Sequence, residues 1–214
     1  MSVKRVAVLV SGGGTNLQAL IDSRDRGELG ENCTLSLVLS SASDVYALER
    51  AKKAGIPSIV VERKGKKRET FTRKVIEALL GNNIDLVVLA GFMCIMGPEF
   101  TKVFENRVIN VHPALIPSFC GDGFYGLKVH EKALEYGVKV SGATVHFVNE
   151  ITDGGPIIAQ KALEVRDDDT PETLQRRIME QCEWRLLPVA VRLFCDGRLA
   201  VEGRKVYIKK EENI

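Results

Sequence analysis

Two polar side chains stand two residues apart at the end of a short apolar run. The run Val108–Val111 is a predicted strand that carries Asn110, and His112 and Pro113 follow it directly. Residues two apart on a strand face the same side, so Asn110 and His112 are expected to point together past the end of the strand. An amide can stabilise a developing oxyanion, and an imidazole can move a proton. The pair suits acyl or formyl transfer, and an Asn–His pair that only caps the strand end fits the motif equally well.

A glycine-rich turn follows the first apolar run of the chain. Val6–Val10 leads into Ser11–Asn16, which reads Ser-Gly-Gly-Gly-Thr-Asn, and a helical pattern comes next. Glycines allow a tight turn, and the free N–H groups of a helix N-terminus bind anions. The dinucleotide-binding pattern is only half met, because Leu17 stands where its third glycine belongs. We expect a single phosphate to bind here, and a glycine turn without a ligand is the alternative.

A third candidate is the carboxylate of Asp153, in the segment Thr152–Pro156 between two predicted strands. Asp-Gly is a common hairpin turn, so a purely structural role is the simpler interpretation. The segment is longer than a two-residue turn needs, however. A carboxylate delivered beside His112 would orient the imidazole or move a proton through water.

The remaining histidines and the cysteines give no metal-binding pattern. The chain has three histidines and five cysteines, which are widely spread and include no Cys-x-x-Cys pair. Neither disulfides nor a zinc cluster is favoured by such spacing. His130 is interpreted as a surface or packing residue, and His146 as a core residue. We therefore expect no metal.

Short apolar runs alternate with helical patterns in the first half and must position these candidates. The predicted strands are Val6–Val10, Leu35–Leu39, Ile56–Val61, Asp85–Ala90 and Val108–Val111. The predicted helices are Asn16–Arg26, Asp44–Ala54 and Glu69–Leu80. Apolar strands separated by amphipathic helices are typical of a parallel sheet covered on both faces. Ligands bind at the carboxyl edge of such sheets, which is where the glycine turn and the Asn–His pair should lie.

The second half of the sequence has a different character. A long loop rich in proline, glycine and aromatic residues precedes the predicted helix Lys128–Tyr136. The later predicted elements are a hairpin of Lys139–Val148 and Ile157–Val165, a helix capped by Thr170 that Pro188 should kink or divide, and a closing hairpin Leu199–Ile208 before a polar tail. The predicted class is α/β: a Rossmann-like open sheet, mostly parallel, with helices on both faces and an antiparallel C-terminal extension.

Size and composition exclude several classes of protein. With 214 residues, the chain predicts one domain, against roughly 150 residues per domain in general. Its 45% hydrophobic and 27% charged residues exclude disorder, and a net charge of +2 gives no reason to expect nucleic-acid binding. The basic run Arg63–Arg68 is predicted to be an exposed loop. No apolar run approaches the roughly 18 residues of a membrane span, and the start has no signal-peptide pattern, so we expect a cytoplasmic protein without membrane contact.

Taken together, the motifs resemble those of the folate-dependent phosphoribosylglycinamide formyltransferases, the glycinamide ribonucleotide transformylases of purine synthesis. The similar stretches are Val10–Ala19, Leu89–Met93, Ile109–Pro113, Leu115–Ser118 and Val145–Val148 with Asp153. They occur in the family's order between Arg5 and about Gly197. The Asn-x-His-Pro motif is shared by the wider group that uses formyltetrahydrofolate. The glycine turn favours the glycinamide ribonucleotide enzymes, although the formyltetrahydrofolate deformylases carry a similar one.

The resemblance implies a role for each matched residue. It places catalysis on Asn110, His112 and Asp153. It implies that the substrate's phosphate and ribose are bound by Gly13, Gly14, Thr15, Asn16, Arg68 and Glu183. It implies that the folate pocket and the adjacent path of the substrate are lined by Phe92, Met93, Cys94, Ile95, Met96, Pro113, Val148, Asn149, Glu150, Ile151 and Thr152. The implied reaction moves the formyl group of 10-formyltetrahydrofolate to the amine of glycinamide ribonucleotide, without a metal. A single domain would do this, with a phosphate-binding half (1–110) and a folate and catalytic half (111–214).

Two departures and two alternatives accompany the resemblance. Cys94 replaces the family's usual arginine, which leaves one folate contact open, and Ser118–Leu127 is lengthened by Phe124 and Tyr125 with no role assigned. A deformylase would usually add an N-terminal regulatory domain, and a methionyl-tRNA formyltransferase a C-terminal RNA-binding domain; we expect neither here. A non-catalytic phosphate-binding module would use Ser11–Asn16 without needing the catalytic trio. We expect small-molecule substrates, no nucleic acid, and a monomer or weak homodimer.

Overall fold

A computed structural model describes residues 2–210 of the chain. Its strands are β1 (Lys4–Val10), β2 (Cys33–Ser40), β3 (Ser58–Val60), β4 (Leu86–Leu89), β5 (Val108–His112), β6 (Val140–Phe147), β7 (Ile157–Glu164), β8 (Leu199–Glu202) and β9 (Lys205–Ile208). Its helices are α1 (Thr15–Asp25), α2 (Tyr46–Lys53), α3 (Arg68–Gly81), α4 (Pro98–Val103), α5 (Leu127–Tyr136), α6 (Pro171–Ile178) and α7 (Trp184–Cys195). The last residues of the predicted polar tail, 211–214, lie outside the described residues.

The described strands form one sheet in the order β3-β2-β1-β4-β5-β6-β7-β9-β8. The first five of these strands pair in parallel. β6 pairs antiparallel with both β5 and β7, and β8 and β9 form a terminal hairpin beside β7. The predicted α/β class, the mostly parallel sheet and the two C-terminal hairpins are therefore confirmed.

Helices cover both faces of the parallel half, as the alternation of side chains along β1 illustrates. Val6, Val8 and Val10 pack into one buried cluster with apolar residues of α1, α2 and α7. Ala7 and Leu9 point the other way, into a cluster with residues of α3 and α4. Because β1 is buried on both faces, its sequence is continuously apolar rather than alternating. α6 covers the antiparallel part from one side, where it packs against β6.

The long helix after Thr170 is interrupted, but not at the predicted position. The Thr170 hydroxyl accepts the Thr173 N–H and caps α6 as expected. Pro188 lies inside α7, and the interruption is a π-helical turn, Met179–Glu183, between α6 and α7. Proline supplies no N–H for the carbonyl of Trp184, four residues earlier. The wider turn ends directly before Trp184, so the break in the regular helix precedes the proline by one turn.

Two further elements differ from the sequence-based expectation. α4 has no counterpart among the predicted helices, although Pro98 at its first position is a known helix-start signal. The basic run Arg63–Arg68 is a loop up to α3, but it is not exposed throughout. The guanidinium of Arg63 lies 5.7 Å from the centroid of the Phe71 ring, and this contact draws Arg63 partly out of solvent.

None of the helices within residues 2–210 has the length and apolar content that crossing a membrane requires.

Candidate active site

Three chain segments meet at the carboxyl edge of the parallel half. β1, β4 and β5 are adjacent and parallel, so the segments that follow them leave the sheet on the same side. These segments are the glycine turn Ser11–Gly14, the stretch Ala90–Gly97 and the loop Pro113–Gly126. The Ser11 hydroxyl accepts the N–H of Met93 at 2.9 Å and joins the first two segments.

Four polar side chains gather where β5 pairs with β6. Asn110 is the cross-strand partner of His146, and its Nδ2 lies 3.2 Å from His146 Nε2 and 3.4 Å from Asp153 Oδ1. Asp153 Oδ2 lies 3.5 Å from His112 Nδ1, and Asp153 Oδ1 lies 3.7 Å from His146 Nε2. The structure therefore brings Asn110, His112 and Asp153 together and adds His146, which was interpreted as a core residue.

The hydrogen bonds of His146 fix its tautomer. Its Nδ1 lies 2.8 Å from the carbonyl oxygen of Phe147, and a carbonyl can only accept, so Nδ1 carries the hydrogen. In the neutral ring Nε2 is then an acceptor and receives a hydrogen from the Asn110 amide. His146 thereby orients the amide that was assigned to oxyanion stabilisation.

Asp153 is held as a carboxylate although it is largely buried. Its backbone has a φ of 53°, in the left-handed region, and its Oδ2 accepts the Gly121 N–H at 2.9 Å. Burial alone would raise the pKa of Asp153, but His146 and His112 in their protonated forms, together with the Gly121 N–H, lower it below its usual value. The cluster therefore contains one fixed negative charge at neutral pH.

His112 is held in an orientation that leaves Nδ1 as its basic nitrogen. Its Nε2 lies 2.8 Å from the carbonyl oxygen of Phe119 and donates to it, so the lone pair of the neutral ring is on Nδ1, beside Asp153. Burial lowers the pKa of His112, although Asp153 and the Phe119 carbonyl act in the opposite direction. A neutral ring that accepts a proton next to a carboxylate is the arrangement of a general base.

The long loop after β5, whose role was unassigned, supplies two backbone contacts to the cluster. It delivers the Phe119 carbonyl to His112 and the Gly121 N–H to Asp153. The Phe119 ring lies 6.2 Å from the Phe124 ring and 6.0 Å from the Tyr136 ring, measured between centroids. These aromatic contacts fasten the lengthened segment to α5, so the added Phe124 helps to hold the loop that contacts His112 and Asp153.

The glycine turn and Glu183 form a second polar group. Gly14 has a φ of 71° and precedes Thr15, the first residue of α1. The Asn16 amide donates to Glu183 Oε2 at 2.7 Å, and burial raises the pKa of Glu183 to about 7 against the opposing effect of that bond. Asn16 Oδ1 is buried without a hydrogen-bond partner among residues 2–210.

The two segments assigned to the folate pocket, residues 92–96 and 148–152, both contribute side chains to the margin of one core cluster. Phe92, Cys94, Met96 and Val148 pack partly buried against one core cluster. The alternate residues face outward, with 55% of Met93 and 65% of Ile95 exposed, as is 64% of Ile151. Cys94 therefore occupies an inward-facing position, whereas the apolar surface near the site comes from its neighbours.

Other predicted site residues lie at the margins. Arg68 begins α3 and is exposed. Thr72 links it to the folate-pocket segment, because its hydroxyl donates to the Arg68 carbonyl and accepts the Gly97 N–H. Within the described chain, no hydrogen bond joins Arg68 to the glycine turn. The remaining marginal residues are half-buried Pro113 and Asn149 and exposed Glu150 and Thr152.

The sequence missed His146 and two backbone groups. His146 stands in an apolar strand, and only its pairing opposite Asn110 marks it. The Phe119 carbonyl and the Gly121 N–H carry no side-chain signal. Among residues 2–210, no group of three histidine, cysteine, aspartate or glutamate side chains has an arrangement that could hold a metal ion.

We expect buried His130 to make the fold acid-sensitive. The side chain is fully buried, and neither ring nitrogen has a hydrogen-bond partner within residues 2–210. Burial, assisted by the nearby charge of His112, lowers its pKa from 6.5 to about 4. Between these two values the unfolded chain binds a proton that the folded chain does not, so stability falls as the pH falls.

The expected cost is about 2 kcal/mol of unfolding free energy between pH 7 and pH 4.5. Urea unfolding of the wild type and of a His130→Leu variant at both pH values would measure it. The variant should lose about 2 kcal/mol less than the wild type over this interval. An equal loss in both proteins would contradict the assignment.

Comparison with known proteins identifies relatives over nearly the whole chain. Residues 4–191 match the family described as formyl transferase. The chain is 37% identical over 207 residues to the phosphoribosylglycinamide formyltransferase of Haemophilus influenzae, covering 96% of this chain and 94% of that protein. It is 40% identical over 210 residues to the human trifunctional purine biosynthetic protein adenosine-3, covering 97% of this chain but 20% of that protein.

Solved structures of related proteins also match nearly the whole chain. Glycinamide ribonucleotide transformylase 1 from Symbiobacterium toebii has a TM-score of 0.90 and 42% identity, covering 97% of this chain and 95% of that one. A formyltetrahydrofolate deformylase from Pseudomonas syringae has a TM-score of 0.84 and 28% identity, covering 98% of this chain and 67% of that one.

Proposed function

The chain belongs to the formyl transferase family, and we propose that it transfers the formyl group of 10-formyltetrahydrofolate to the amine of N1-(5-phospho-D-ribosyl)glycinamide (glycinamide ribonucleotide) in purine synthesis. The observation that carries this proposal is the convergence of Asn110, His112 and Asp153 at the sheet edge that also bears the glycine turn. A phosphate-binding module needs only the turn. The similarity to phosphoribosylglycinamide formyltransferases supports the choice of acceptor.

The proposed reaction begins when the amine nitrogen attacks the formyl carbon. A tetrahedral intermediate with an oxyanion forms, and the Asn110 amide, oriented by His146, donates to the oxyanion. His112 takes up the proton that the nitrogen loses, and the adjacent Asp153 carboxylate stabilises the charged ring. The lowered pKa of His112 supports the neutral ring as the starting state.

The second half of the reaction releases tetrahydrofolate. The bond between the formyl carbon and N10 of the folate breaks, the oxyanion returns to a carbonyl, and N10 receives a proton from His112 directly or through water. Asp153 orders that water, and after the transfer its hydrogen bonds are the same as before the reaction. No covalent bond to the protein is formed, and the residues named supply donors, acceptors and one fixed charge.

The proposed substrate sites follow from the chemistry of the two remaining groups. The N-terminus of α1 with Gly13, Gly14 and Thr15 would hold the phosphate, and Asn16 with Glu183 would hold ribose hydroxyls. The outward-facing apolar side chains of residues 92–96 and 148–152 fit the flat aromatic rings of a folate. Arg68, exposed at the start of α3, would approach the same phosphate with its guanidinium.

The remaining assignments are also proposals. The five cysteines are free in the described chain, which fits a reducing compartment such as the cytoplasm. The continuous sheet supports a single domain, with its phosphate-binding part in residues 1–110 and its folate and catalytic part in 111–214. We propose small-molecule substrates alone and a monomer or weak homodimer.

The test is the absorbance change of the released folate product, with purified protein and 10-formyltetrahydrofolate or its deaza analogue. We expect release that depends on glycinamide ribonucleotide. Equal release with and without the ribonucleotide would show water as the acceptor, and hence a deformylase. No release with either would favour a phosphate-binding module. A reaction without enzyme is the control for spontaneous hydrolysis.

A further inference from the structure

One arginine of α2, Arg50, holds the backbone of the glycine turn on the side that faces α2. Arg50 Nε donates to the carbonyl oxygen of Gly13 at 2.8 Å, and its NH1 donates to Gln18 Oε1 at 2.8 Å. The guanidinium carbon lies 4.8 Å from the centroid of the Tyr46 ring. One planar cation therefore joins the turn, the first helix and α2, a set of contacts that the proposed reaction does not use.

α2 also approaches the backbone of the turn directly. The Ala47 N–H donates to the carbonyl oxygen of Gly12 at 3.2 Å. A Cβ placed on Gly14 would lie 2.7 Å from Ala47 Cβ, so only glycine allows this approach. Consecutive carbonyls of the turn, Gly12 and Gly13, thus both face α2.

This orientation decides where the N–H groups of the turn point. In a trans peptide the C=O and the following N–H point in opposite directions. Holding the Gly12 and Gly13 carbonyls on the α2 side turns the N–H groups of Gly13 and Gly14 to the other side. Within residues 2–210, no hydrogen bond engages either of these two N–H groups. They remain as paired donors at the start of α1, the arrangement that binds an anion.

We propose that Arg50 is a positioning residue for phosphate binding: its guanidinium holds the Gly13 carbonyl on the α2 side and so aims the Gly14 N–H at the phosphate of the substrate. The inference rests on the proposed function for the identity of the phosphate-bearing substrate. The physical basis is specific to arginine. The Nε and NH1 hydrogens form a rigid planar fork that reaches two acceptors at once, which a lysine ammonium does not reproduce.

The test compares Arg50→Met and Arg50→Lys with a matched control, Arg24→Met. Arg24 also donates from its guanidinium to a backbone carbonyl, that of Ala54 at 3.2 Å, at the opposite end of α2. For Arg50→Met we expect the KM for glycinamide ribonucleotide to rise roughly tenfold, the size of one lost charge-assisted hydrogen bond. The kcat and the KM for 10-formyltetrahydrofolate should stay within about twofold. Arg24→Met should leave all three constants unchanged.

The two variants at position 50 separate positioning from charge. Arg50→Lys keeps the cation but loses the fork, so we expect its KM for the ribonucleotide to stay raised. Full recovery in Arg50→Lys would show that the charge alone matters and would overturn the proposal. The proposal would also be overturned if Arg50→Met raised the KM for both substrates equally, or if Arg24→Met raised the KM for the ribonucleotide as much as Arg50→Met does.

A binding measurement keeps this test independent of turnover. Ribose 5-phosphate is titrated calorimetrically into the wild type and the three variants. Weaker binding of about tenfold in both Arg50 variants alone supports the proposal, whether or not the wild type transfers formyl groups. Equal affinity in all four proteins overturns it. Absent turnover with intact phosphate binding would instead overturn the proposed function.

Discussion

Exchange of Asp153 for asparagine is expected to lower kcat about 1000-fold, while the KM for either substrate changes by less than about fivefold. The asparagine has nearly the same shape, and its amide oxygen can still accept the Gly121 N–H. It lacks the charge that stabilises protonated His112, whose Nδ1 lies 3.5 Å from the carboxylate. The cost therefore falls on the transition state. Steady-state kinetics with each substrate varied in turn measures it.

Two companion variants make this prediction specific. Asp22→Asn, at a half-buried position of α1, removes a carboxylate that within residues 2–210 accepts a hydrogen bond only from Gln18, and it should leave kcat unchanged. His112→Ala combined with Asp153→Asn should lose little more than the worse single variant, because the two residues act as one unit. Wild-type turnover in Asp153→Asn, or multiplicative losses in the double variant, would refute the proposed partnership.

The second large effect is expected from Gly155→Ala, which should destabilise the fold and displace the turn that carries Asp153. An added Cβ at this position would lie 1.7 Å from the carbonyl oxygen of Phe147. Backbone cannot yield as a flexible side chain does, so the hairpin must open where the Phe147 N–H donates to Pro156. We expect a loss of about 3 kcal/mol and a Tm lower by about 10 °C.

The matched control is Gly81→Ala, at the end of α3. A Cβ there meets no atom within 4 Å, so thermal unfolding should show an unchanged or slightly higher Tm. Activity adds a second measurement: Gly155→Ala should lose kcat well below the melting transition, because Asp153 moves away from His112. An unchanged Tm together with full activity would show that the turn tolerates the added atom.

The parallel half could be predicted from the sequence because its signals are local. Apart from the edge strand β3, the strands there are largely buried on both faces, so a run such as Val6–Val10 is recognisable as a strand without knowledge of its partners. The Asn110 and His112 side chains were expected on one side of a strand, and the structure places them so, because a period of two needs no tertiary information.

The features that the sequence did not predict depend on pairing across the chain. The register of β5 against β6 sets His146 opposite Asn110, and no local pattern encodes that register. His146 therefore looked like one more buried residue of an apolar strand. The Phe119 carbonyl and the Gly121 N–H are backbone groups that any residue type supplies, so no side-chain motif marks them. Arg50 carries no local signal either, because an arginine on an amphipathic helix is normally solvated.

The π-helical turn has a consequence for how the buried carboxyl group of Glu183 is accommodated in a packed helix. One stripe of buried apolar residues runs from α6 into α7 at intervals of four, except between Cys182 and Leu187, which are five apart: Leu174, Ile178, Cys182, Leu187, Val191 and Cys195. With a constant α-helical pitch, that extra residue would rotate α7 by about 100° and turn Leu187 away from the sheet. The π turn absorbs the residue instead, so both apolar stripes stay in phase. Glu183 can therefore point towards Asn16 without displacing any apolar side chain from the core. The π turn has the effect of a single-residue insertion that adds a polar contact to an otherwise structural helix.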